Sequence, residues 1–173
     1  FSQLFRENRF SGSDRIGDAR QLSVGLTSRF LFQDTGAELL SMSLGQIYYF
    51  KDRALPTSSS VFEPPTARES ALFAEARLKL GENFTARSSF EWEPDVNRSN
   101  RGQVSIKYSD NERRIFNFSY LNTSQGAQRA TIQQQSEESD ITFIWPVINN
   151  WSAIGRWNFG WDSHRTIESF IGF

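Results

Sequence analysis

Apolar side chains recur at every second position along most of this chain. Between Gln21 and Phe32, Leu22, Val24 and Leu26 alternate with polar or small residues, and the same spacing returns in successive segments up to Phe173. A period of two places neighbouring side chains on opposite faces of a β-strand. The pattern therefore predicts an all-β, antiparallel protein of about nine strands, each with one apolar and one polar face.

The connections between these segments alternate in length, except that the link at 162–165 is short although it falls on the predicted outer side. Short turns are predicted at 33–37, 81–83, 110–113 and 148–150, and longer polar loops at 51–70, 94–101 and 123–139. A tilted strand of about 9 to 11 residues crosses a bilayer. Transmembrane barrels have short turns on the periplasmic side and longer loops outside. The alternation in loop length therefore favours part of a transmembrane β-barrel.

The ends of the pattern indicate that more strands exist. Closed single-chain bacterial barrels have an even number of strands, and an unpaired strand edge attracts other chains. The alternation here begins and stops in mid-pattern. We therefore expect the protein to extend beyond both Phe1 and Phe173.

Composition excludes several classes of protein. There is no run of about 18 apolar residues that would form a membrane helix, while an aromatic content of 14% is too high for a disordered chain. The net charge is -1 and the basic residues are scattered, so nucleic acid is not an expected partner. With no Cys and only His164, no metal or other cofactor is expected.

A soluble β-barrel or sandwich remains an alternative, because its strands alternate equally well but turn the apolar face inward. Three features favour the membrane: small residues such as Ala74 and Ala76 on the apolar face, a strongly charged opposite face, and aromatic residues at strand ends. Rings at the level of the lipid headgroups explain the last feature. The predicted interface aromatics are Phe32, Tyr48, Phe50, Trp92, Tyr108, Tyr120, Trp151 and Trp161.

The polar face would line the barrel lumen. Such charges could guide lipid phosphates or bind a partner, but more often they are solvated and form cross-strand pairs. The residues are Arg29, Glu75, Arg77, Lys79, Arg87, Glu91, Lys107, Arg156 and Glu168.

Two features on or near this face raise the question of an enzyme. Glu75 and Glu91 are spaced to face one another across a hairpin as a carboxylate pair, although Arg77 and Arg87 favour ion pairing over acid catalysis. His164 has only its neighbours Asp162 and Ser163 as partners, and adjacent residues rarely converge into a hydrolase triad. An outer-membrane lipase or protease is therefore the weaker alternative, and no catalytic residue is predicted.

Pro146 lies inside a predicted strand. Proline has no N–H group and removes one hydrogen bond from a strand ladder, so a bulge or local disruption is expected there.

Several segments resemble one known family. The block from Phe5 to Gln21 is not generic barrel sequence, and Gly25–Arg29 and Gly45–Phe50 follow it in the order seen in the lipopolysaccharide-assembly family LptD. Trp145–Val147, followed by Trp151, Ser152, Ile154 and Gly155, is also similar to that family. These segments span most of the chain, and the first two blocks are the most specific.

The resemblance implies a particular role and location. Members form a large barrel in the Gram-negative outer membrane that is plugged by the lipoprotein LptE. They would receive lipopolysaccharide from an LptA-like periplasmic bridge and deliver it to the outer leaflet, without covalent chemistry. Residues 1–173 would belong to the C-terminal barrel domain, in contact with membrane lipids. The N-terminal periplasmic jelly-roll and a paired-cysteine segment expected after Phe173 lie outside this sequence.

Asp14 and Arg15 lie in the first resembling block, in a Gly-containing loop on the predicted outer side. One interpretation is that this loop folds into the lumen and contacts the plug lipoprotein. The other is an Asx turn in which a local ion pair holds the loop closed.

Overall fold

The computed structural model describes residues 2–5, 20–52, 66–94, 98–124, 135–148 and 150–173. A 3-10 turn at Ser2–Phe5 precedes nine β-strands. The strands are β1 (Gln21–Leu31), β2 (Glu38–Tyr49), β3 (Leu72–Leu80), β4 (Phe84–Glu93), β5 (Arg98–Ser109), β6 (Ile115–Ser124), β7 (Gln135–Ile148), β8 (Trp151–Gly160) and β9 (Arg165–Gly172).

All nine strands form one sheet in the order of the sequence, and each is antiparallel to the next. The predicted all-β antiparallel fold and the strand number are therefore confirmed. Among the described residues, β1 pairs only with β2 and β9 pairs only with β8, so the sheet is an open section and not a closed barrel.

The short turns are confirmed, and two of them depend on glycine. Gly36 and Gly81 have φ angles of 67° and 64°, in the left-handed region that a side chain disfavours. The turn between β5 and β6 is held differently. There the Asp110 carboxylate accepts hydrogen bonds from the backbone N–H groups of Glu112 (3.0 Å) and Arg114 (2.9 Å).

Three predicted loops are shorter than the sequence indicated. β5 begins at Arg98 inside the predicted loop 94–101, β6 continues to Ser124, and β7 starts at Gln135. Within the predicted loop 51–70, Tyr49 donates its backbone N–H to Arg68 and Ser70 donates to Ile47. These extensions are polar on both faces, so they keep the ladder of hydrogen bonds without the alternation that marks a half-buried strand.

The disruption predicted at Pro146 is confirmed as a register shift between Pro146 and Ile148 in the pairing of β7 with β8. On its other side, β7 pairs with β6 only as far as Ile144. Pro146 therefore lies where β7 has a single neighbour, and its missing N–H leaves no β6 carbonyl without a partner.

The apolar face of this sheet is not covered by a second layer of the described residues. Leu78, Phe90 and Phe118 lie on it in register with other apolar residues, and Phe90 is 47% exposed while Leu26 is 71% exposed. Exposing a large apolar side chain to water costs about 2 kcal/mol. A soluble barrel or sandwich would bury these side chains, so the arrangement fits strands whose apolar side meets lipid.

Among the described residues, no helix has both the length and the apolar character needed to cross a membrane.

Candidate functional site: the polar face of the sheet

The strand register gathers the predicted charged residues on one face. Arg29 is opposite Ser41, Ser41 is opposite Arg77, and Arg77 is opposite Arg87. Continuing along this row, Ser105, Ser119, Asp140, Asn158 and Glu168 follow on successive strands. By the same pairings, Glu75, Lys79, Glu91, Lys107 and Arg156 also lie on this face.

The polar face carries two adjoining grooves. A groove of about 380 Å³ is lined by side chains from β1 to β5, among them Thr27, Ser41, Glu75 and Ser105. A second groove of about 470 Å³ continues toward the turns past Thr85 and Lys107. A groove to which five consecutive strands contribute indicates that the sheet is concave on that side. In a barrel wall the concave side is the lumen.

Within the first groove, Arg77 and Arg87 are directly opposite one another in the register of β3 and β4. Directly opposite residues have Cβ atoms about 5 Å apart, and like charges at this separation repel. Their other cross-strand neighbours are hydroxyl residues, Ser41 next to Arg77 and Ser105 next to Arg87. The sequence predicts cross-strand ion pairs at these two arginines. The register instead places no carboxylate directly opposite either of them.

On the β7–β9 side of the face, the predicted cross-pairing does occur. The Arg156 guanidinium donates to Asp140 Oδ2 through Nε at 2.8 Å and to Glu168 Oε2 through Nη1 at 2.7 Å. This three-residue network links β7, β8 and β9. Each charge there is bonded to an opposite charge, whereas neither Arg77 nor Arg87 forms an ion pair with another described residue, although Glu75 lines the same groove.

The register also corrects the proposed carboxylate pair. Glu75 is opposite Ser89, whereas Glu91 is opposite Phe73 on β3 and Arg101 on β5. The two carboxylates are therefore offset by two residues along the strands and do not face each other. The hydrolase-type arrangement is wrong at this position.

The polar face carries an apolar cluster that the sequence interpretation missed. Leu4, Ile47 and Tyr49 are buried together with Phe73 packed against them, and Ser23 Oγ donates a hydrogen bond of 2.7 Å to the Leu4 carbonyl. The 3-10 turn thus lies on the polar side of β1 and β2, near the long connection. The sequence does carry a signal for this cluster: Ile47, Tyr49 and Phe73 are apolar residues at positions of their strands that belong to the polar face.

A second apolar patch lies on the polar face at the short-turn end of β6 to β9. It is formed by Ile115, Ile144, Ile154 and Phe170, around a hollow of about 250 Å³. These four residues are also apolar residues at positions that belong to the polar face. The lumen side is therefore not uniformly polar.

The predicted interface aromatics lie at or beside strand ends, except Tyr120, which is four residues before the end of β6. Several of their polar atoms have partners: Tyr108 Oη donates to Asp110 at 3.1 Å, Tyr120 Oη to Glu137 at 2.5 Å and Trp161 Nε1 to Ser139 Oγ at 3.2 Å. A ring on an apolar surface with a satisfied polar tip suits the headgroup region.

Two of the predicted site residues, Asp14 and Arg15, lie outside the described residues. His164 is exposed in the turn between β8 and β9, with a φ angle of 48°. In the part of the chain that the structure describes, no group of three His, Cys, Asp or Glu side chains could hold a metal ion.

A meander of antiparallel strands with an exposed apolar outer face and a charged concave face defines a section of transmembrane β-barrel wall. The family model for LPS transport system D matches residues 1–151. The chain belongs to this family, which is one of outer-membrane proteins, so the resemblance noted in the sequence is confirmed.

Named relatives agree with this assignment. The LPS-assembly protein LptD of Pseudomonas aeruginosa is 33% identical over 201 residues, covering 100% of this chain and 22% of that protein. The LptD proteins of Alcanivorax borkumensis and Burkholderia pseudomallei are 38% and 34% identical, covering 99% of this chain and 22% of each relative. The chain thus spans about a fifth of the length of these relatives. The family is one of transport and assembly, and not of enzymes.

Proposed function

We propose that this sheet forms part of the wall of an outer-membrane translocon that carries lipopolysaccharide to the outer leaflet. The apolar face meets lipid tails and the polar face encloses water. The observation that carries the proposal is the separation of the two faces: residues such as Leu22, Val24 and Leu26 remain exposed on one side, while the charged residues share the other. Membership of the LPS transport system D family supports lipopolysaccharide as the cargo.

In this proposal, residues 1–173 belong to a C-terminal barrel domain. Further strands pair with the free edges of β1 and β9 and close the barrel, since an unpaired edge within a bilayer leaves N–H and C=O groups without partners. A periplasmic jelly-roll outside this sequence takes up the lipid from an LptA-like bridge.

The lumen holds a plug lipoprotein of the LptE type. The inward-facing apolar cluster at Leu4, Ile47, Tyr49 and Phe73 supports the idea that segments on the long-loop side turn into the lumen. Asp14 and Arg15 follow Leu4 closely in sequence, and we assign them to the contact with the plug. Arg29, Glu75, Lys79, Glu91 and Lys107 are assigned to the hydrated wall of the lumen.

Single-cysteine labelling in membranes tests which face meets lipid. Residues 1–173 contain no Cys, so a cysteine at Val24, Leu78 or Arg77 gives one defined site in this part of the protein. An environment-sensitive fluorophore at Val24 or Leu78 is expected to emit in the blue and to be quenched by lipid-borne quenchers. At Arg77, the neighbour of Leu78 on the same strand and at the same depth, it should report water. The reverse pattern would contradict the proposal.

Depletion of the full-length protein tests the cargo. Newly made lipopolysaccharide is expected to stay inaccessible to modifying enzymes at the cell surface, and re-expression should restore access. Unchanged surface delivery after depletion would exclude the transport function.

A further inference from the structure

The polar face distributes its charges unevenly. Arg101 is opposite Glu91, Arg29 lies 3.8 Å from Glu38, and Arg156 is held by two acids. By contrast, the register puts Arg77 and Arg87 opposite each other. Among the described residues, neither of these two side chains forms an ion pair or hydrogen bond with the protein. Their charges are therefore available to an external anion.

Two lysines extend this positive region toward the short turns. Lys79 and Lys107 are both opposite Thr85, on either side of β4. Lys79 lies two residues from Arg77 along β3, or about 7 Å. Lys107 lies two residues along β5 from Ser105, which is opposite Arg87. The four cations therefore occupy one patch across β3, β4 and β5, which we call the basic patch: Arg77, Lys79, Arg87 and Lys107.

Most of the acidic residues nearby already have partners. Glu38 is paired with Arg29, and Asp110 accepts from Arg114 and from the Tyr108 hydroxyl. Glu75, two residues from Arg77 on β3 and in the same groove, has an interaction of its own. Glu82 lies in the exposed β3–β4 turn at the rim of the second groove. No carboxylate lies directly opposite a member of the basic patch in the strand register.

Hydroxyl groups surround the two arginines. Ser41 and Ser105 are their outer neighbours across the strands, and Ser89 and Gln103 line the same groove. A guanidinium donates two parallel hydrogen bonds to a phosphate, and hydroxyls add further donors. A doubly charged phosphate would also neutralise the repulsion between Arg77 and Arg87. The groove of about 380 Å³ has room for a phosphate together with the sugar that carries it.

We infer that the basic patch is a binding site for a phosphate group, and in particular for a phosphate monoester on a sugar, with Arg77 and Arg87 as its two principal ligands. The patch lies near the short-turn end of the sheet, which is the periplasmic end if the proposed function holds. On that basis, a phosphorylated sugar headgroup meets the patch as it enters the lumen. The phosphate site itself depends only on the register and the charges.

Direct binding measurements on the full-length protein in detergent test the site. The probes are inorganic phosphate, phosphorylated lipopolysaccharide and the same lipopolysaccharide after enzymatic dephosphorylation. The double variant Arg77→Gln with Arg87→Gln is expected to bind inorganic phosphate and phosphorylated lipopolysaccharide at least tenfold more weakly than wild type. The matched control is Arg101→Gln, which removes the same charge from the same face at a position opposite Glu91, and should bind like wild type.

A second double variant distinguishes loss of the binding geometry from misfolding of the protein. Arg77→Lys with Arg87→Lys keeps both charges but loses the two-pronged geometry, so intermediate affinity is expected in a protein with wild-type heat-modifiable migration. Weaker binding of the dephosphorylated lipid assigns the site to a lipid headgroup. Equal binding of both lipids, with phosphate binding that still depends on the arginines, assigns it to free phosphate.

Two results would overturn the inference: no saturable phosphate binding by the wild type, or equal losses in the double variant and in Arg101→Gln. Loss of an acidic protein partner from the double variant, without phosphate binding by the wild type, would also overturn it. Failure of the transport proposal is separate, because it would appear as unchanged lipopolysaccharide delivery after depletion while arginine-dependent phosphate binding persists.

Discussion

At the scale of single residues, two glycines show different reasons for lacking a side chain. A Cβ atom added at Gly155 would lie 2.6 Å from Phe143 Cε1 and 2.7 Å from Phe143 Cζ, because that ring covers the glycine across the β7–β8 pair. Gly81 has nothing within 4 Å of such a Cβ atom, but its φ angle of 64° is unfavourable for other residues. The first glycine is required by packing and the second by backbone conformation.

Gly155→Ala is therefore expected to displace the Phe143 ring and lower the free energy of unfolding by about 1 to 3 kcal/mol. Urea unfolding in lipid vesicles, followed by tryptophan fluorescence, would measure the change. Gly102→Ala is the control, since its Cβ would meet only Phe90 Cδ2, at 3.8 Å, and we expect a change within about 0.5 kcal/mol. Similar losses for both variants would argue against the packing explanation.

At the scale of elements, the short turns keep adjacent strands in register. A one-residue slip of a hairpin would move every side chain to the opposite face, and here it would bring Arg77 and Arg87 to the lipid side. The β3–β4 hairpin reaches its register through the left-handed conformation of Gly81, whereas the β5–β6 turn is held by the Asp110 carboxylate. Turn chemistry and the placement of lumen charges are thus linked.

Gly81→Ala is expected to destabilise the β3–β4 hairpin by about 1 kcal/mol, because alanine pays the cost of the left-handed conformation without any new clash. The effect would appear as faster amide hydrogen exchange at the ends of β3 and β4 next to this turn, with unchanged exchange in β7 and β8. Glu82→Ala, in the same turn but without a positive φ angle, should leave exchange unchanged. Equal protection in the Gly81 variant and the wild type would be the contrary outcome.

At the scale of the whole molecule, one surface is apolar and faces outward while the other is charged and concave. A charged residue on the lipid side of a barrel costs about 2 to 4 kcal/mol near the bilayer midplane, whereas lumen positions tolerate charge. Leu26 and Thr27 are adjacent in the middle of β1 and lie on opposite faces. They provide a matched comparison for the whole arrangement.

Leu26→Arg is expected to lower the stability of the full-length protein in vesicles by about 2 to 4 kcal/mol, and Thr27→Arg by less than about 1 kcal/mol. Folding titrations in denaturant would measure both values. If Thr27→Arg were the more destabilising substitution, the faces would have to be exchanged and the membrane arrangement abandoned.

Much of this fold follows from the sequence, because alternation reports locally on a strand with two unlike environments. It located all nine strands, the short turns and the shared face of the charged residues named above, such as Arg77 and Arg156. It failed beyond the apolar band, where β5 to β7 continue as strands with polar residues on both sides. It also missed inward-facing Ile47, Tyr49 and Phe170, since a few residues out of phase do not change the period.

The sequence by itself determined the strand period, the two kinds of face and the family, because each depends on residue types at fixed spacing. Only the tertiary structure decided which residues on different strands are neighbours. Pairing between strands depends on the register of every hairpin, and an offset of two residues separates a carboxylate pair from the observed Glu75–Ser89 and Arg77–Arg87 oppositions. The basic patch is a consequence of that register, because its members come from three strands and no motif along the chain joins them.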